Sequence, residues 1–188
     1  MYKGIEMAEI KSTMDLVMER TRNMSMTEDE KKEKKREDAA ARIQGFVRKL
    51  IDGTIRQADA DREFNAIKDT FGDGDSARIE RMLRRTLLDH LGFDRENTML
   101  LRLLESRFDI DSEPFHQIFE EYGKTLDTAR QERLNRLKQE MAVTPGISGS
   151  AIIPNPAADA GWGTMLTDIR DQYGRRLEEE KSKAAGRT

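Results

Sequence analysis

The amino-acid sequence predicts an all-α protein: a bundle of about six helices, a Pro/Gly-rich arm and a tethered C-terminal amphipathic helix. Apolar residues recur at steps of three and four along nearly the whole chain, whereas strict alternation of the strand kind never lasts. Charge also vanishes abruptly between Val143 and Gly163, where Asp159 is the only charged residue among three of the chain's 4 prolines. The chain therefore divides into a helical body (1–142), an extended arm (143–163) and a C-terminal helix with a frayed tail (164–188).

Within the body, Met7, Ile10, Met14, Val17, Thr21 and Met24 alternate in steps of three and four, the seam of a short coiled-coil-like helix over 5–24. So short a helix cannot stand alone in water, and the seam is expected to serve in oligomerisation or docking. Thr27 and Glu30 form a capping box that starts the next helix, with Glu28, Asp29 and Glu30 favoured at the positive end of its dipole. Glu28 to Lys32, Glu30 to Lys34 and Asp38 to Arg42 lie at the i,i+4 spacing of a solvated helix face. Ala39, Ile43, Phe46, Val47, Leu50 and Ile51 then supply a core stripe, and Gly53 stops it.

Ala60, Phe64, Ile67 and Phe71 mark a helix that breaks at Gly72, Asp73, Gly74 and Asp75. Ile79, Met82, Leu83, Leu87 and Leu91 mark another that closes at Gly92. Asp94 is positioned to cap a short helix through Leu100, Leu101, Leu104 and Phe108. Pro114, in a first turn where its missing N–H costs little, opens the longest helix, about Phe115 to Met141. Beyond the arm, Leu166, Ile169, Tyr173 and Leu177 form one more amphipathic stripe that dissolves into the charged tail from Glu178. Trp162, just before it, is an apolar anchor that a pure spacer would not need.

Composition excludes several chemistries. With Cys 0 there is no disulfide, thiolate nucleophile or Cys-ligated metal, and the two histidines are His90 and His116. Lys and Arg total 33 against 36 Asp and Glu, a net charge of -3 that lacks the electrostatic pull of a nucleic-acid binder. Glu6, Glu9, Lys11 and Asp15 interrupt any secretory apolar region, mean hydropathy is -0.79, and the expected compartment is the cytoplasm.

Three constellations carry possible chemistry. Asp69, Asp73, Gly74 and Glu80 match positions 1, 5, 6 and 12 of a calcium-binding EF-hand loop, but Phe71 stands at position 3 and cannot ligate. Glu113 and His116, with Glu120 a turn later, have the Glu-x-x-His spacing of di-iron bundles without the second pair such a site needs. Arg78, Arg81, Arg84 and Arg85 line one helix as a cationic stripe diluted by Glu80 and Asp89 and lacking interleaved aromatics. Gly146 to Ser150 resembles a nucleophile elbow, but no strand precedes it and no histidine follows it.

These observations point to a non-enzymatic protein–protein interaction protein, an adaptor or accessory subunit working through amphipathic helix contacts. The expected partner-binding residues are Met7, Ile10, Met14, Val17 and Met24 in the seam, and Trp162, Leu166, Ile169, Tyr173 and Leu177 at the C-terminus. The partner is another protein or a second copy; no cofactor, bound metal or membrane is expected, and nucleic acid is not expected as a partner. The alternative is a metal-binding or metal-sensing helical protein using Asp69, Asp73 and Glu80, or Glu113, His116 and Glu120.

Overall fold

Helix α1, Glu28–Ile51, begins as its sequence requires: the Thr27 hydroxyl accepts from the Glu30 N–H at 3.3 Å while the Thr27 N–H donates to the Glu30 carboxylate at 2.7 Å. Ion pairs follow along its exposed face. Among the pairs formed are Lys31–Glu28, Lys32–Asp29 and Arg36–Glu33, each at i,i+3, and Arg42 turns toward Thr70 and the Phe71 ring. The structure, a computed structural model, describes residues 18, 26–143, 154–155 and 160–186. The seam residues Met7, Ile10, Met14, Val17 and Met24 lie outside the described residues.

The end of α1 is a Schellman turn, in which Gly53 N–H bonds the Leu50 carbonyl at 3.2 Å and Thr54 N–H bonds that of Lys49 at 2.9 Å. Gly53 sits at φ 67, where an L side chain would be strained, and Ile55 is buried just beyond it. Helix α2, Gln57–Phe71, stops at Gly72, φ 80, and one 3-10 turn, Asp73–Asp75, leads into α3, Ser76–Asp89. Asp75 holds that corner by pairing with Lys35 at 2.7 Å and Arg78 at 3.1 Å.

Asp94 does not cap the next helix. Helix α4 is Thr98–Phe108, and the Thr98 N–H reaches the Glu96 carboxylate at 3.3 Å, while Asp94 is drawn off to Arg170 at 2.6 Å. The loop is held by Asn97, a buried residue whose side chain accepts from Gly92 N–H and donates to the carbonyls of Gly92 and Arg95. Those bonds leave the Asn97 amide with its polar atoms satisfied, which is what permits its burial. Asp109, at φ 52, ends α4 in a left-handed conformation that Asp tolerates better than most residues.

Helix α5, Glu113–Ala142, carries Pro114 in its first turn and buries Phe115 and Ile118. Helix α6, Ala160–Gly186, starts inside the expected arm and continues well past the point where the sequence suggested fraying. Its buried residues, Ile169, Tyr173, Leu177 and Ala184, join the same apolar cluster as the body. Two exposed ion pairs, Lys181–Glu178 and Lys183–Glu180, support the last turns. The decisive contact is tertiary: Arg84 on α3 donates to the Ala185 carbonyl at 3.0 Å, placing a cation at the negative end of the α6 dipole.

The described elements are all helical, six α-helices and one 3-10 turn. Helices α1 to α4 hold most of the deepest side chains, among them Phe46, Phe64, Ile79, Leu83 and Leu104, joined by Phe115 of α5; α5 and α6 form an antiparallel pair in which α6 lies against α3. The antiparallel sense follows from Glu121 pairing with Arg176 while Thr125 bonds Tyr173. No described helix is long and apolar enough to cross a membrane.

Because Arg84 caps α6 from another helix, Arg84→Met is expected to cost about 1 kcal/mol. Amide exchange should then accelerate in the last turn of α6 with little change in α1 to α4, and unchanged protection there would show that the cap contributes nothing.

Candidate functional site

Glu80, on α3, is half-buried, and its surroundings decide what chemistry it can do. Arg107 of α4 grips it with two bonds, Nε to Oε2 at 2.9 Å and Nη2 to Oε1 at 2.7 Å, and Lys68 of α2 adds a third at 2.8 Å. The remaining guanidinium nitrogen bonds Asp61 at 3.0 Å, Asn65 accepts a further bond at 3.3 Å, and the cation lies 4.3 Å from the Phe64 ring centre.

Burial pushes the Glu80 carboxyl up, but the hydrogen bonds from Arg107 and Lys68, with their charges, outweigh it and hold it below the ordinary carboxylate value. Arg107 is raised in turn, chiefly by its bond to Glu80. Such a carboxylate is ionised and spoken for at neutral pH. It has no proton to donate as a general acid, and a calcium ion at the Asp69–Glu80 loop would have to displace two cations. Phe71, the residue at position 3, is buried in the core.

The second constellation does not converge either. Glu113 accepts from Gln117 at 3.1 Å, Glu120 pairs with Lys124, and His116 is exposed. The hydrogen bond from Lys124 and its charge hold Glu120 below the ordinary value. Among the described residues, no group of three or more His, Cys, Asp or Glu side chains is placed to hold a metal ion.

The arginine stripe is divided among contacts within the chain. Arg78 pairs with Asp75, Arg84 caps α6, and Arg85 approaches Asp89 at 3.8 Å with its side chain largely in solvent. Arg84 thus escaped sequence reasoning as a structural residue, since its acceptor lies 101 positions away.

Of the expected partner-binding residues at the C-terminus, Ile169, Tyr173 and Leu177 are buried on the chain's own body, whereas Trp162 and Leu166 are half-buried. Tyr173 stacks edge-on against Tyr122, which itself packs 4.2 Å from Phe93, and Phe93 meets Phe119. Pro154, in the arm, is buried as well. Along α6 and the 91–95 loop runs a groove of about 990 Å³, with Leu91, Phe93 and Leu177 in its lining and Asp94, Arg95 and Arg170 among its charged residues.

Burial fades outward along the α5–α6 pair. Among the described side chains, none on α5 beyond Ile118 and none on α6 before Ile169 is buried. The stripe there is nonetheless apolar: Leu126, Leu134, Leu137 and Met141 on α5, and Trp162 and Leu166 on α6, are half-buried, with Met165 exposed. Comparison with protein-family models, curated proteins and solved structures gives no match for the chain.

Two measurements test this reading of Glu80. Because its carboxyl titrates lower in the folded chain than in the unfolded one, its contribution to stability is full above the unfolded carboxylate range and is lost as pH falls through the folded value. Glu80→Gln is expected to cost about 2 kcal/mol near neutral pH and to flatten the acid limb of stability against pH, read by chemical denaturation. Calcium calorimetry is expected to give no heat in the micromolar range; a heat abolished by Glu80→Gln would overturn the structural role assigned to that residue.

Proposed function

We propose that the chain is a non-enzymatic adaptor or accessory subunit that acts through amphipathic helix contacts with another protein or a second copy, with the cytoplasm as its compartment. The observation that carries this reading is the half-covered apolar stripe on the outer α5–α6 pair, Leu126, Leu134, Leu137, Met141, Trp162 and Leu166. Half-buried apolar stripes on two antiparallel helices offer a seat for a third helix, whose own apolar positions would fall at i, i+3, i+4 and i+7. The sequence holds such a segment in the seam of Met7, Ile10, Met14, Val17 and Met24. Met18, beside that seam, is helical and 66% exposed, so the segment carries an apolar side chain available to a second surface.

The partner assigned to the outer stripe is therefore a helix of this chemistry, supplied by a second copy. Light scattering of the full chain is expected to give a mass above the 21.6 kDa of the monomer. Met14→Glu or Leu137→Glu, each putting a charge into an apolar contact, should weaken the association at least about tenfold, with far-UV circular dichroism unchanged. A monomer at every concentration, with residues 126–141 fully protected from amide exchange, would mean that the chain covers its own stripe, and the reading would fail.

A further inference from the structure

The contact between α6 and the body has the anatomy of an interface between molecules. Its centre is apolar, with Ile169, Tyr173 and Leu177 buried at i, i+4 and i+8, and its rim is made of exposed ion pairs, Arg170–Asp94 at 2.6 Å and Arg176–Glu121 at 2.6 Å. Within the apolar centre Thr125 bonds Tyr173 at 2.7 Å, and at the far end Arg84 of α3 donates to the Ala185 carbonyl at 3.0 Å; together they fix the register. The largest side chains under 2% exposed come from α1 to α5, and none of them comes from α6. The seat beneath α6 is held by contacts that do not involve α6: the Asn97 bonds shape the 91–95 loop, and Phe93 rests on Phe119 and Tyr122.

We propose that α6 is an exchangeable element, and that the seat formed by α3, α5 and the 91–95 loop accepts the α6 of a second copy in a reciprocal, two-fold dimer. Every contact that docks α6 within one chain is available without change between two, so exchange needs no new interface. Covalent reach permits it. At about 1.5 Å per residue the 27 residues of α6 form a helix of roughly 40 Å, and the stretch from Ala142 to Ala160, at about 3.3 Å per residue, covers more than that when extended.

Charge selects this occupant. A foreign helix would need an aromatic hydroxyl opposite Thr125, an arginine three positions before it opposite Asp94, and another three positions after it opposite Glu121, as Arg170, Tyr173 and Arg176 supply. The chain's own α6 carries that set, and its local concentration decides between closed monomer and exchanged dimer. The exchange surface differs from the outer stripe: it uses the buried half of α6, from Ile169 onward.

The absence of cysteine makes the test direct. Two differently tagged full-length copies, one carrying Glu121→Cys and the other Arg176→Cys, are co-expressed and treated with a short bis-maleimide. The expected product is a covalent pair carrying both tags, with a yield that rises with concentration. A copy bearing both substitutions should give the intrachain product at high dilution, which shows that the variants fold with α6 seated. Should that pair disturb α6, Asp94→Cys with Arg170→Cys repeats the measurement at the other end of the rim. Intrachain product without any mixed-tag product at any concentration would overturn the proposal. Met14→Glu in both copies weakens the seam contact but should still allow mixed product at higher concentration; its complete loss would assign the association to the N-terminal seam and overturn exchange of α6.

Discussion

Arg107 joins three helices through one guanidinium, and the packing of α2, α3 and α4 rests on it. It reaches Glu80 on α3, and Asp61, Asn65 and the Phe64 ring on α2, from a side chain only 17% exposed. A cation so enclosed has surrendered much of its hydration, and the cost is recovered only because its nitrogens find acceptors. Removing one partner leaves the other charged and enclosed, so the cluster behaves as a unit. Interdigitated apolar side chains set the register of neighbouring helices, and a two-pronged bond between guanidinium and carboxylate, satisfied at one register, reinforces it.

That clamp also determines what the Gly/Asp corner before α3 can do. The corner is built by Gly72 at positive φ and by Asp75, whose carboxylate pairs with Lys35 and Arg78. Glu80, the residue that would close a calcium loop around it, faces the opposite task of neutralising Arg107 and Lys68. Ionisable side chains arranged to satisfy one another give helices their register; chemistry on a substrate needs a group left with a proton or lone pair to use.

Outside this clamp the molecule becomes progressively less enclosed. Helices α1 to α4, with Phe115 of α5, hold the deepest side chains, the near half of α6 packs on α3 and α5, and no described side chain in the far halves of that pair is buried. Free energy of local opening tracks this gradient, since few buried contacts oppose fraying at the far end. The apolar stripe proposed as a seat for a third helix lies at the open end of this gradient, and the proposed exchange of α6 concerns its enclosed end.

Local signals decided much of this architecture from the sequence by itself. The Thr27–Glu30 box, the stop at Gly53, the break at Gly72 and the apolar spacing of each described helix act over a few residues, and these appear in the structure at those positions. The capping role of Asp94, the end of α6 and the employment of Glu80 were decided only by tertiary structure. Each turns on a partner remote in sequence: Asp94 is claimed by Arg170, the α6 terminus is capped by Arg84, and Glu80 is held by Arg107. Periodicity reports which face of a helix is apolar, but a charged side chain with several possible partners takes the one that packing brings within reach, and that choice exists only once the helices have assembled.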